Sequence, residues 1–95
     1  MTPFTIVYGT ILRPKTLKHL SPKELRAIRR AIEQKLTINP RVFGKPLRRS
    51  LKGCWVLRVG DYRVIYRIVG TMIEIYVIEH RSTVYKNFER QLGPS

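Results

Sequence analysis

Apolar positions recur along this chain with two different periods. Leu25, Ile28, Ile32 and Leu36 fall three or four apart, as on a helix face turned to a core, while Lys23, Arg26, Arg29, Arg30 and Lys35 fall elsewhere. Ser21 can cap that helix, Pro22 can take its first position, and Glu24 stands three residues after the cap; this is a capping-box pattern. Asn39-Pro40 ends it. Leu17 and Leu20 predict a shorter helix over Leu12–Leu20, with Pro14 in its first turn. From Cys54 the period drops to two. Trp55, Leu57 and Val59 alternate with Cys54, Val56 and Arg58, Gly60-Asp61 makes a tight turn, and Val64, Tyr66 and Ile68 alternate with Arg63, Ile65 and Arg67. Gly70-Thr71 turns the chain again into the apolar strand Met72–Ile78. A β-branched, aromatic run, Phe4–Tyr8, predicts a first strand. Arg41–Gly53 reads as a loop, and the segment from Ser82 as a short terminal helix.

The order is β-α-α-β-β-β with a C-terminal helix, and the fold class is α+β: a small single domain, residues 1–95, with a helical hairpin packed on an antiparallel sheet. The sheet face away from the hairpin carries Arg58 and Arg63, and the last strand delivers residues 79–85 to its edge.

Composition narrows the function. A chain of 95 residues supports one modest core. No apolar run approaches the ~20 residues of a membrane span, and the N-terminus lacks a signal-peptide layout, so the expectation is a cytoplasmic protein with no membrane association. One cysteine, Cys54, allows no internal disulfide. Two histidines and one cysteine cannot assemble a nitrogen–sulfur zinc site, and no phosphate-binding glycine loop is present. No cofactor is expected. Charge is the positive signal: 19 Lys and Arg against 6 Asp and Glu give a net +13 and a pI of about 10.8. Self-repulsion of that size in a small domain points to a polyanionic partner, nucleic acid first, or to an acidic protein.

The segment EHRSTVYKN, Glu79–Asn87, concentrates titratable and hydrogen-bonding groups after an apolar strand. RNA can be cut without a metal when the 2′-hydroxyl attacks the adjacent phosphate. The reaction needs a base, an acid and cations for the phosphorane oxygens. Arginine matches phosphate, histidine titrates near neutrality, and a tyrosine can serve where cations lower its pKa. Arg58, Arg63, His80, Arg81 and Tyr85 supply these types. Each also has a plainer reading: Arg63 as a cover for apolar surface, His80 as a hydrogen-bonding strand end, Arg81 as an exposed charge and Tyr85 as helix packing. Arg48, Arg49 and Lys52 read as loop charges or as phosphate contacts without catalysis.

LRVGDYRVIYRI (57–68) and HRSTVY (80–85), within KPLRRSLKGCWVLRVGDYRVIYRI and IEHRSTVY, resemble the RelE branch of the RelE/ParE toxin superfamily over essentially the whole domain. The resemblance implies the toxin of a type II toxin–antitoxin system, a metal-independent, ribosome-dependent mRNA endoribonuclease. Its partners would be the ribosome, mRNA and a cognate antitoxin. The free toxin would be monomeric and the antitoxin complex hetero-oligomeric. By position the resemblance assigns Arg63 to the scissile phosphate, Arg81 to a second arginine, Tyr85 to stacking or activation, and His80 to acid–base work. Arg58, Lys52, Arg48, Arg49 and Lys45 become RNA or ribosome contacts. One departure stands out: relatives often carry Lys or Arg where this chain has Cys54 and Val56. A ParE-like inhibitor of DNA gyrase and a catalytically weak RNA-binding relative are the alternatives.

Overall fold

The computed structural model describes residues 4–9, 20–48 and 53–91, the last three by their backbone alone. The helix expected over Leu12–Leu20 lies almost wholly outside the described residues, as do Arg49 and Lys52. The chain forms β1 (Thr5–Tyr8), α1 (Pro22–Ala31, continued by a wider π-helical turn at Ile32–Leu36), α2 (Pro40–Phe43), β2 (Lys45–Pro46), β3 (Trp55–Val59), β4 (Tyr62–Val69), β5 (Met72–His80) and α3 (Val84–Gln91).

The capping box forms as its residues predict. The Glu24 N–H donates to Ser21 Oγ at 3.1 Å and the Ser21 N–H to Glu24 Oε1 at 3.0 Å, satisfying two otherwise orphaned donors. The stripe Leu25, Ile28, Ile32 and Leu36 then packs on one sheet face against Leu57, Val64, Tyr66, Ile73, Ile75 and Ile78. The opposite face holds a smaller cluster in which Val84 and Phe88 of α3 cover Cys54, Ile65 and Val77. Alternation along β3 and β4 therefore assigned the two faces correctly.

The sheet order is β1-β5-β4-β3-β2. β3, β4 and β5 form an antiparallel meander, but β1 pairs with β5 in parallel, Thr5 opposite Met72 and Tyr8 opposite Ile75. The sheet is thus mixed where an antiparallel one was expected. The long helical connection after β1 gives the chain room to return so that β1 and β5 run the same way. The expected loop over Arg41–Gly53 contains α2 and β2, with Lys45 opposite Val56. α2 is fastened to the sheet by Tyr66, whose hydroxyl donates to the Pro40 carbonyl at 2.6 Å. Gly44 permits that approach, since a Cβ there would lie 1.7 Å from the Tyr66 hydroxyl oxygen.

One irregularity sets the geometry of everything downstream. Ile65 pairs with Val77, yet the next residue, Tyr66, pairs with Ile75, so Tyr76 is an extra residue in β5. Such a bulge shifts every later side chain to the other face. Ile73 and Ile75 belong to the α1-side core, and so does Ile78, which an unbroken alternation would place opposite them.

Candidate functional site

Two rows of residues cross the face that α3 partly covers. Lys45, Val56, Ile65 and Val77 lie opposite one another across β2 to β5, and Arg58, Arg63 and Glu79 across β3 to β5. α3 seals the first row at Ile65 and Val77 and stops short of its β2 end. What remains is an open cleft of about 630 Å³ lined by Lys45, Val56, Arg58, Arg63, Arg81, Ser82 and Tyr85. Three arginines and a lysine meet here without a carboxylate in the lining. Arg58 and Arg63 sit directly opposite each other, about 4.5–5.5 Å apart at Cβ, a placement that like charges disfavour. An anion between them would relieve that repulsion.

Arg63 is the most constrained of the four, buried to 7 % exposure. Its Nη1 donates to the Gly60 and Tyr62 carbonyls, both at 2.9 Å. Those two bonds account for both Nη1 hydrogens, so the Nε–Nη2 edge carries the remaining three donors of the guanidinium. That edge is the fork that binds phosphate oxygens in pairs. The carbonyl of Gly60 is available because the Gly60-Asp61 turn runs through a left-handed glycine, φ 59°.

Arg81 is held through its backbone. Its N–H donates to the Asp61 carbonyl at 2.8 Å, while Nε and Asp61 Oδ1 are 3.8 Å apart with both side chains exposed. An exposed pair of this kind fixes little, so the guanidinium is free to swing toward an anion. The residues His80–Thr83 form a turn closed by the Thr83 N–H on the His80 carbonyl, 3.1 Å, and the Asn87 N–H then donates to the Thr83 carbonyl as α3 begins. Val84 and Phe88 face inward, leaving Tyr85 on the cleft side and 37 % exposed.

The structure brings together Arg63, Arg81, Tyr85, Arg58 and Lys45. It does not bring His80 with them. The bulge at Tyr76 turns His80 to the α1 side, where its ring meets Tyr62 edge-on at 5.7 Å and 85°. Nδ1 lies 2.8 Å from Ser82 Oγ and accepts the Ser82 N–H at 3.1 Å. The Glu24 carboxylate lies near the Tyr62 phenol, and burial first, then that carboxylate, raises the phenol above its ordinary pKa. Arg48 is exposed and outside the cleft lining.

One residue of the cleft and two beside it carry no assigned role from sequence. Ser82 lines the cleft. Glu79 takes the place opposite Arg63 that unbroken alternation denies it, and its Oε2 accepts from Asn87 Nδ2 at 2.7 Å, tying α3 to β5. Only the bulge reveals the position of Glu79. The departure at Cys54 also has a physical side: it is buried in the layer beneath α3, where a longer cationic side chain would compete with Val84 and Phe88 for space, whereas Val56, though buried, lines the open cleft. Burial pushes the Cys54 thiol above its ordinary pKa, with Arg67 opposing, which makes it a poor nucleophile. Among the described residues no three His, Cys, Asp or Glu converge as a metal site, and no helix is long and apolar enough to cross a membrane.

Comparison with known proteins gives consistent matches. Residues 14–85 match the family model described as the ParE toxin of type II toxin–antitoxin system, parDE. Toxin RelG of Mycobacterium tuberculosis (strain ATCC 25618 / H37Rv) is 36% identical over 86 residues, covering 88% of this chain and 98% of that protein. Toxin RelE of the same organism is 37% identical over 79 residues, 81% of each. The crystal structure of the toxin–antitoxin complex RelBE2 from M. tuberculosis superposes with a TM-score of 0.75 at 37% identity, over 83% of this chain and 99% of the matched one.

Proposed function

Because the chain belongs to the RelE/ParE family of toxins of type II toxin–antitoxin systems, we propose that it is a ribosome-dependent mRNA endoribonuclease that inhibits translation by cutting in the A site. The observation that carries this reading is the cleft in which Arg58, Arg63, Arg81 and Lys45 converge with Tyr85 at its edge. The 2′-hydroxyl gives its proton to a base, Tyr85 or a group of the ribosomal RNA, and attacks the neighbouring phosphate; a pentacovalent phosphorane forms, and the 5′-oxygen leaves as it takes up a proton from solvent, with a 2′,3′-cyclic phosphate behind it. Charge grows on the non-bridging oxygens, and preformed cationic donors stabilise it. The Nε–Nη2 edge of Arg63, held from behind by two carbonyls, receives those oxygens. Arg81 closes from the turn and Arg58 from the neighbouring strand. Tyr85 stacks on or activates the substrate nucleotide. Lys45 and Arg48 in the structure, with Arg49 and Lys52 in sequence, contribute phosphate or ribosome contacts, and the ribosome's own RNA supplies part of the positioning. The site of action is therefore cytoplasmic.

The RelBE2 relative is a toxin–antitoxin complex. It supports a cognate antitoxin as the partner of this chain, covering the cationic face in a hetero-oligomeric complex and leaving a monomer when released. The match to a ParE model favours one second reading, inhibition of DNA gyrase without RNA cleavage.

The deciding experiment compares one mRNA on programmed ribosomes and naked, treated with the wild type, Arg63→Ala, Arg81→Ala and Tyr85→Phe. Ribosome-dependent cleavage with a cyclic phosphate end, and a loss of about 10²–10³-fold in Arg63→Ala, is the expected result. No cleavage in either setting, with gyrase inhibition instead, would replace the nuclease reading by the second one.

A further inference from the structure

His80 is the residue whose position departs furthest from its sequence-based expectation, and its contacts say what it does instead. A backbone N–H can only donate. Since the Ser82 N–H is directed at Nδ1, Nδ1 must carry its lone pair there, and the ring is the neutral tautomer with its proton on Nε2. The Ser82 hydroxyl, 2.8 Å away, stands on the same nitrogen. Meanwhile the His80 carbonyl accepts the Thr83 N–H. His80 thus occupies the first position of a β-turn, with its side chain accepting from the N–H two residues on. Asn and Asp side chains make this same bond in Asx-turns. The groups facing the ring are Tyr62 of β4, Glu24 of α1 behind that phenol, and Ser82 of the turn itself. None of them lies toward the substrate apart from Ser82.

We propose that His80 is a positioning residue that locks the turn His80–Thr83. Through that turn it sets Arg81 and Ser82 at the cleft rim and fixes where α3, with Tyr85, begins. The turn has few other restraints: the Arg81 N–H on the Asp61 carbonyl and the closing bond at Thr83. The Tyr62 ring seats the imidazole from the other side, so the lock is anchored in the α1-side core while its output faces the cleft.

The proposal rests on the nuclease reading for its kinetics only, and two variants test it. His80→Asn keeps a short acceptor in the Asx-turn position but cannot titrate; His80→Ala removes the acceptor. His80→Asn should cleave mRNA on ribosomes within about threefold of wild type and with an unaltered pH–rate profile. His80→Ala should lose about 10²-fold, the scale of a misplaced reacting group, and should cost little more when combined with Arg81→Ala. An Asn variant as inactive as the Ala variant, with an altered pH–rate profile, overturns the proposal in favour of acid–base catalysis. So does full activity in both variants. A second readout needs no activity: in the free protein the imidazole nitrogen shifts should report the Nε2–H tautomer. The Ser82 amide should exchange slowly in wild type and His80→Asn and fast in His80→Ala. If wild type cuts no RNA, the nuclease reading alone falls. Equal Ser82 exchange in wild type and His80→Ala would still sink the turn lock.

Discussion

On the α1 side of the sheet, Ile28, Ile32 and Leu36 press onto Leu57, Val64, Tyr66 and Ile73 until all seven are buried. On the α3 side only Val84 and Phe88 reach the sheet deeply, over Cys54, Ile65 and Val77. The rest of that face is left to arginines. The first side uses a capped helix with a four-residue stripe, which gives area and stability. The second uses a two-turn helix with two anchors, which leaves a cleft. A single sheet thus separates the work of holding the fold from the cationic cleft proposed to meet phosphate, and the cost of gathering like charges falls on the side with the weaker packing.

The largest effects should separate the faces. Ile32→Ala removes a fully buried side chain from the α1-side core and should cost about 3–4 kcal/mol of global stability. A calorimetric or denaturant melt reads it, and activity should persist at temperatures where the variant is folded. Phe88→Ala takes away one of the two α3 anchors, including its stacking on Tyr76 at 6.1 Å. Because α3 can lift without opening the main core, the melt should move less than for Ile32→Ala. Backbone amides of α3 should instead exchange by local opening, and cleavage should fall as Tyr85 loses its place. If Phe88→Ala lowers the global melt as much as Ile32→Ala, the faces are one cooperative unit and the contrast fails.

An intermediate effect belongs to Tyr66, which links the α1-side core to α2. Tyr66→Phe leaves the Pro40 carbonyl without its 2.6 Å donor and should cost about 1–2 kcal/mol. Burial raises the Tyr66 phenol far above its usual pKa of 10. The unfolded chain ionises this group first, so its contribution is intact below about pH 10 and is lost as pH rises beyond it, at up to about 1.4 kcal/mol per unit. Melts in alkaline buffer should show this fall in wild type and a shallower one in Tyr66→Phe; equal slopes would mean that Tyr66 is not protected.

The same contrast explains what the sequence could tell. The α1 side was legible because each of its signals is local: a cap, a proline, a stripe at helical spacing. Alternation along β3 and β4 likewise placed Arg58 and Arg63 on one face, and the hairpin glycine confirmed their register. The direction of β1 was not legible, since four alternating residues pair equally well either way. Nor was the bulge at Tyr76, because Glu74-Ile75-Tyr76-Val77-Ile78 offers apolar groups to both faces whichever register is taken. That one extra residue exchanges His80 for Glu79 on the cleft face. Residue types and family resemblance named the cluster, but only the register decided which of two neighbouring titratable groups, Glu79 or His80, shares its sheet face.

The smallest effect tests whether the α1 side owes its strength to its helix start as well as to its core. Glu24 accepts from the Ser21 N–H, and that bond first, then the nearby Tyr62 phenol, holds its carboxyl below the usual range. A lowered folded-state pKa contributes stability that is present above the unfolded value, about 4.3, and is lost as pH falls through the folded one. Ser21→Ala breaks the reciprocal half of the box and should cost about 1 kcal/mol at neutral pH. Glu24→Gln keeps the shape of an acceptor without the charge, so its thermal midpoint should be flatter than wild type between pH 5 and pH 3. A Gln variant that follows wild type through that window would show that the capping carboxylate is only geometric. The stability of this face would then rest on the stripe alone.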